Sequence, residues 1–444
     1  MNYIEAMEWS CHFARQSGAE QCDIIYSSSS SEELEVFEGK ISKAEASSSL
    51  GLGLRLFSQQ RPGYAYTQKL DKDCLRQMVV DAMAHCELAD PVQIELPEKA
   101  PLPEIELGKW NDNLEKLSFL EMKEFCLTME SLARSGHREI VNVPHAGVSK
   151  GSSAMALMNS RGLLLESKSN MVSAYVGAVA QRGDQKKSGS FGNGGRDWLT
   201  LDPCKLASEA VVRATELLGA KSIPSGILPI VFSNRVSGSL LGMYMSSLSG
   251  EQVQKGQSRF AHQCGKTVAS EVLSLSCKPH LVGQPGSRRF DSEGVLCKKS
   301  DLIINGTLLE FIHNLESAAK AGVTPTGHGS RGLRGRASVN FSNLVMAKGS
   351  SELSQLLDAH PRCLYVTKLD GGSACSGVSG ELSIGAQGFL VEHGQLKQAV
   401  DAITINGNFF ELIQNIQACS NAYQDVWSSS KFPDILVKKL SVSG

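Results

Sequence analysis

The sequence has almost no net charge: 44 basic side chains stand against 46 acidic ones over 444 residues. That balance argues against broad electrostatic binding to nucleic acid or to an anionic membrane. No basic cluster restores the idea, because "VKKL" and "GDQKKSG" are short and read as solvated surface. Long apolar runs are missing as well, and none approaches the ~20 residues that cross a bilayer. The opening "MNYIEAMEWSCHFARQSGAE" carries early acids in a helical pattern, which is not that of a signal peptide. The expected location is therefore the cytoplasm. Twelve cysteines are present, yet no CxxC pair occurs among them. Cys74, Cys86, Cys126 and Cys363 fall inside apolar periodic segments and read as buried, reduced thiols. The ten histidines never reach ligand spacing on one helix, and His262, His280, His313 and His328 stand alone. That argues against zinc binding within this chain. No repeat recurs at a fixed period.

What is present fits a globular protein. At 41% hydrophobic and 20% charged residues, the chain can bury sizeable cores, and its length suggests two or three domains. Residues 2–18 read as a helix. The segments "CDIIYSSSS", "EELEVFEGK", "ISKAEASSS", "LGLGLRLFSQ" and "PGYAYTQ" alternate as strands of a largely antiparallel sheet. "DKDCLRQMVVDAMAHCEL" has Leu75, Val79, Met83 and Leu88 in helical register, with Asp71 as its cap. The Pro-rich "DPVQIELPEKAPLPEIEL" is a first linker. A helix at about 117–135 precedes a hairpin around "NSRG", a strand "MVSAYVGAVAQ", a Gly/Ser-rich loop "KKSGSFGNGGRDW" and a helix over 203–219. "AKSIPSG" is the second boundary, and the strand- and Gly-rich remainder reads as a β domain.

Three motifs carry possible chemistry. "GVSKG" (147–151) matches a nucleophile elbow in letters, but a hairpin follows it where the motif requires a helix, so the match is rejected. "GSFGNGG" lacks the spacing and the following helix of a phosphate cradle, and reads as a surface loop. Asp291 and Glu293, in "RRFDSEGVLCKK", flank a serine before a glycine. Such a pair could bind a cation or serve acid/base chemistry. The preferred reading is a turn: Asp291 accepts local N–H bonds, Glu293 pairs with an arginine, and Gly294 supplies φ > 0. One stretch is notable for what it lacks. "LLGMYMSSLSG" (240–250) follows a strand-like "ILPIVFS" and repeats apolar side chains at Val236, Leu240, Tyr244 and Leu248. With Asn234 as cap and Gly250 as stop it reads as a short buried helix. From Arg235 to Gly250 it contains no His, Asp, Glu or Cys.

Taken together, several segments resemble the TldD/PmbA family, known as modulators of DNA gyrase and related to metalloproteases. They are "LEVFEGKISKAEASSSLGLGLRLF", "MNSRG", "GQSRF", "FDSEGV", "LIINGTLLEFIHNLESAAKAG", "TGHGSRG", "SGELSIGAQGFLVEHG", "AITINGN" and "LVKKLSVSG". Their order and spacing span nearly the whole chain. The resemblance implies an α+β N-terminal half with antiparallel or mixed sheets and a β-rich, barrel-like C-terminal half. With the two linkers this divides the chain into 1–105, 106–222 and 223–444. The TldD branch carries H-E-x-x-x-H upstream of the segment matching "GQSRF"; its histidines bind zinc and its glutamate can polarise water. Aligned through Gly256 and Phe260, the His-Glu positions hold Leu241 and Gly242, and the second histidine position holds Ser246. A further cysteine ligand falls near Trp427 or Ser428. The resemblance therefore points to the zinc-less PmbA (TldE-like) branch.

On that resemblance, the expected protein is a zinc-less subunit paired with a zinc-bearing TldD-like paralogue in a cytoplasmic protease that matures and degrades peptides. No cofactor is expected in this chain. It would hold extended peptide, with no role for nucleic acid or membrane, and could form a homodimer when isolated. Two rivals remain. One is a stand-alone peptidase using Asp291, Glu293 and His328; the other is a non-proteolytic regulator that binds gyrase or another protein.

Overall fold

The computed structural model describes residues 1–444. Helix α1 (Tyr3–Gln16) begins with a capping box between Asn2 and Glu5. Strands β1 (Gln21–Phe37), β2 (Lys40–Ser58) and β3 (Arg61–Thr67) follow, then helix α2 (Lys72–Cys86), which Asp71 caps as expected. Residues 87–111 contain no regular element, yet they bury Val92, Ile94 and Leu96. Next come α3 (Asp112–Glu115), α4 (Phe119–Ser135), β4 (Ile140–Asn159), β5 (Leu164–Arg182), β6 (Gln185–Gly195) and α5 (Pro203–Thr215).

The first six strands make one antiparallel sheet in the order β3-β2-β1-β4-β5-β6, so the sheet runs on past residue 105 into the next segment. Each end has its own core. Helices α1 and α2 cover one; α4 and α5 cover the other. The serine runs do not break β1 and β2 into the shorter strands expected from the sequence. Their hydroxyls pair across the sheet instead: Ser29 with Ser49, Ser31 with Ser47 and Ser30 with Ser152, each at 2.9 Å. Cross-strand pairing of this kind keeps a polar strand extended. The loop expected at "GSFGNGG" is also corrected, because these residues form the end of β6. Gly189, the first of them, shows the reason: a β-carbon there would collide with the backbone of Arg213 and Ala214, so glycine lets α5 lie directly on the strand.

The C-terminal half is strand-rich. It contains β7 (Gly226–Phe232), α6 (Ser237–Gly242), α7 (Gly250–Gln254), β8 (Leu275–Cys277), β9 (Ser300–Ile304) and β10 (Thr307–Leu308). These are followed by α8 (Leu315–Ala321), β11 (Gly329–Ser330), β12 (Ser338–Val339), β13 (Leu344–Met346) and α9 (Leu353–Asp358). The chain closes with β14 (Arg362–Asp370), β15 (Glu381–Glu392), β16 (Gln395–Asn408), α10 (Phe409–Gln414), β17 (Ile416–Tyr423), β18 (Ser430–Lys431) and β19 (Pro433–Ser443). Its main sheet has the order β16-β15-β14-β7-β19-β17, and β16 also pairs with β19 through Thr404–Asn406, which curls the sheet into a half-barrel. A core of 40 buried residues fills this half. The fold is thus α+β, with the barrel-like character on the C-terminal side. No helix is long and apolar enough to cross a membrane.

Candidate functional site

The segment after β7 is not the single helix expected over 240–250. Helix α6 ends at Gly242, a 3₁₀ turn spans Met245–Leu248, and α7 starts at Gly250. Backbone bonds tighten to the i−3 type at Tyr244, Ser247 and Ser249. The anticipated caps are corrected as well. The N-cap is Val236, without a side-chain bond, while the backbone N–H of Asn234 donates to Asp434 Oδ1 at 2.8 Å. Gly250 is glycine because a β-carbon there would run into the His313 ring. The apolar stripe itself does face inward: Val236, Leu240, Tyr244 and Leu248 are all buried. Tyr244 stacks on Phe409 with centroids 4.1 Å apart and donates its hydroxyl to the Glu381 carbonyl at 2.7 Å.

The opposite face borders a cleft of about 500 Å³. Gly242 and Ser246 open into it, facing Ser429, Ser430 and the Ser338–Ser342 strip. A neighbouring depression brings Ser239 opposite Ser428, so the segment before β19 lies against the exposed face of α6. Trp427 points elsewhere, donating its indole N–H to the Gly283 carbonyl at 2.8 Å. Leu241 is only 2% exposed and belongs to the large core. Nothing lies within 4 Å of a β-carbon built on Gly242. These residues do not fit a zinc ion. Leucine and glycine offer no donor, and the serine hydroxyls are weak neutral ligands. Nowhere do three or more His, Cys, Asp or Glu side chains gather as a metal ligand set would. The twelve cysteines are all free, and eight of them are buried.

Asp291 and Glu293 lie in a different place, at the junction of the two halves. Asp291 Oδ1 accepts the N–H groups of Glu293 and Val295 at 2.9 and 3.0 Å, and its Oδ2 accepts that of Gly329 at 2.7 Å. Gly294 takes a φ of 84°. Glu293 accepts Arg55 from β2 at 2.5 Å and caps α8 by accepting the Leu315 N–H at 2.7 Å. Arg55 also forks onto Asp23 of β1, which in turn accepts Arg331 at 2.7 Å. All four of these charges are essentially buried. Burial works to raise the Asp23 carboxyl, but Arg331 and Arg55 overcome it and hold Asp23 below its ordinary range. At Asp291 the balance is reversed: burial and the adjacent Glu293 charge outweigh three N–H donors and push the carboxyl up to about 7. His328 sits next to this turn but bonds Thr326 Oγ1 at 2.9 Å; burial and Arg288 hold it down at about 4. Neither carboxylate has an open face for a substrate. Their chemistry is to order a turn and join two halves.

Family models cover most of the chain: "PmbA/TldA metallopeptidase domain 1" matches residues 22–86, the central domain 112–218 and the C-terminal domain 225–444. The chain belongs to the PmbA/TldD family. A "Metalloprotease PmbA homolog" of Haemophilus influenzae is 26% identical over 416 residues, 91% of this chain and 88% of that protein. A Thermotoga maritima protein described as a modulator of a DNA gyrase superposes with a TM-score of 0.90 at 26% identity, covering 100% of both chains. TldE from Thermococcus kodakarensis, at 23% identity and a TM-score of 0.88 over 99% of this chain and 100% of that one, shares the fold. The PmbA/TldD architecture explains why motifs scattered along the sequence converge. It leaves Arg55, Asp23 and Arg331 as residues that sequence reasoning missed, although an arginine inside the apolar "LGLGLRLF" was a usable signal.

Proposed function

We propose that this chain is the zinc-less, non-catalytic subunit of a TldD/PmbA-type metalloprotease complex, holding extended peptide while a TldD-like paralogue supplies zinc. The observation that carries the reading is the cleft at α6. Its open face presents Gly242, Ser246 and Ser428–Ser430, and the one buried position of the motif, Leu241, is committed to the core. A site whose only His, Cys, Asp or Glu side chain is Glu251 can accommodate a peptide backbone but lacks the ligand set to activate water through a metal. The test is co-purification with a TldD-like chain, combined with metal analysis of each component. The expected result is no stoichiometric zinc and no peptide cleavage for the isolated chain, and zinc with activity in the pair. One equivalent of zinc on His or Cys ligands of this chain would overturn the reading. A stable complex with gyrase and none with a TldD-like chain would favour the regulator instead.

A further inference from the structure

One unexplained feature of the N-terminal half is a cleft of about 970 Å³ between β5, residues 105–110 and residues 285–292. It wraps around a free strand edge. Strand β6 pairs with β5 only from Val172 to Arg182, so β5 has no neighbour on that side over its first residues. At Asn170 the edge is closed: its N–H donates to the Lys109 carbonyl at 3.1 Å, and Arg196 donates to its carbonyl. Backbone direction alternates along a strand, so the N–H and C=O groups of Lys168 and Glu166 point the same way. No hydrogen bond from the rest of the chain reaches them.

The surroundings of that edge carry more cations than anions. Lys109, Lys168, Arg288 and Arg289 line the cleft, and none makes an ion pair. Lys109 reaches only the Ser167 hydroxyl at 3.3 Å, and Lys168 lies over the Trp110 ring at 4.5 Å. Arg288 donates to the Asn340 carbonyl and leaves its Nε buried without a partner. The acids that border the cleft are occupied elsewhere: Glu166 accepts the Tyr3 hydroxyl, Glu106 accepts the Gly108 N–H, and Asp291 is saturated by its turn. Burial, reinforced by Arg196, Arg288 and Arg289, lowers the Lys109 ammonium to about 8. Four cations against the carboxylates of Glu106 and Glu166, with the Asp291 carboxyl pushed up to about 7, leave a net positive cleft in which the half-buried Lys109, Arg288 and Arg289 gain from an anionic ligand.

We propose that this cleft binds an extended acidic peptide segment, its backbone adding to the edge of β5 at Glu166–Lys168 and its carboxylates meeting Lys109, Lys168 and Arg289. The proposal rests on the reading of this chain as a peptide holder and gives that peptide a charge. The free edge favours a peptide over a simple anion, since only a peptide uses both the ladder groups and the cations.

The test uses the purified full chain alone, followed through Trp110 fluorescence and by calorimetry. The probes are an extended Glu-Val repeat peptide, its Gln-Val isostere, the Glu-Val peptide N-methylated at alternate residues, and inorganic phosphate. The acidic peptide should bind at least about tenfold more tightly than either the isostere or the N-methylated form. Lys109→Gln and Arg289→Gln should each weaken the acidic peptide several-fold, with unchanged far-ultraviolet circular dichroism and unchanged binding of the isostere. Equal affinity for the acidic and neutral peptides would overturn the proposal. So would phosphate binding as tightly as the peptide, or indifference to N-methylation. Because no partner is present, failure here leaves the zinc and co-purification test of the subunit reading untouched.

Discussion

At the scale of single residues, the side chains that looked most catalytic turn out to be the most enclosed. Asp291 satisfies three backbone donors that no water can reach. Asp291→Ala should therefore lower stability by ~1–3 kcal/mol in urea unfolding, through unsatisfied buried N–H groups. The same carboxyl gives a pH signature. Its folded pKa, about 7, lies above the ordinary unfolded value of about 3.9. The stabilisation from holding it protonated is complete below the unfolded pKa and is lost as pH rises through 7. The cost of Asp291→Ala should accordingly be greater at pH 5 than at pH 8. A cost that grows with pH would show that the N–H donors, not burial and Glu293, set the charge of the group.

Elements show where a sequence is readable and where it is not. The apolar stripe of α6 was legible because Val236, Leu240, Tyr244 and Leu248 keep their spacing through the 3₁₀ turn. The break was not, because where one helix would continue the backbone instead bonds a distant segment, Gly250 donating to the Ile312 carbonyl and Leu248 accepting the Ile312 N–H. In the same way, Gly189 of β6 resembles a loop residue until α5 is seen lying on it. Gly189→Ala must push that helix away, and it should cost about 1–3 kcal/mol as overpacking in thermal or chemical unfolding. The combined variant Leu241→His, Gly242→Glu, Ser246→His probes α6 directly. Gly242 and Ser246 have room for the new side chains, so the loss should come from Leu241, at roughly 2–4 kcal/mol for lost burial and an unpaired imidazole nitrogen. Zinc affinity should remain weak, because neither Trp427 nor Ser428 offers a thiolate and Glu251, the one carboxylate lining that cleft, is paired with Lys255. Micromolar zinc binding by a normally stable variant would mean that this core can give up Leu241.

For the molecule as a whole, Arg55 makes a link between halves whose pairing a sequence reader cannot see, because its partner Glu293 lies far along the chain. Removing it leaves Asp23 and Glu293 buried with one cation fewer between them. Arg55→Met should cost about 3–5 kcal/mol, since breaking a buried pair strands its partners. Calorimetry should resolve separate melting of the two halves where the parent protein shows tighter coupling. The family resemblance, by contrast, was readable over nearly the full length, as was the α+β character; the polar centre of the first sheet was not, because its serines read as breaks between short strands. That polar centre also bears on how the protein is made. The core beneath α1 and α2 draws on residues 6–86 with the sole addition of Ala156, so it can condense on a nascent chain before β4 has been synthesised. Until then one side of β1 is an open edge, the kind of surface through which incomplete chains aggregate. Here it presents "SSSSSEE", a stretch with little hydrophobic attraction for another molecule's strand. The serine run that pairs so regularly in the finished sheet is therefore also a safeguard during translation, and replacing it with β-branched apolar residues should raise insoluble yield before it alters the stability of the folded protein.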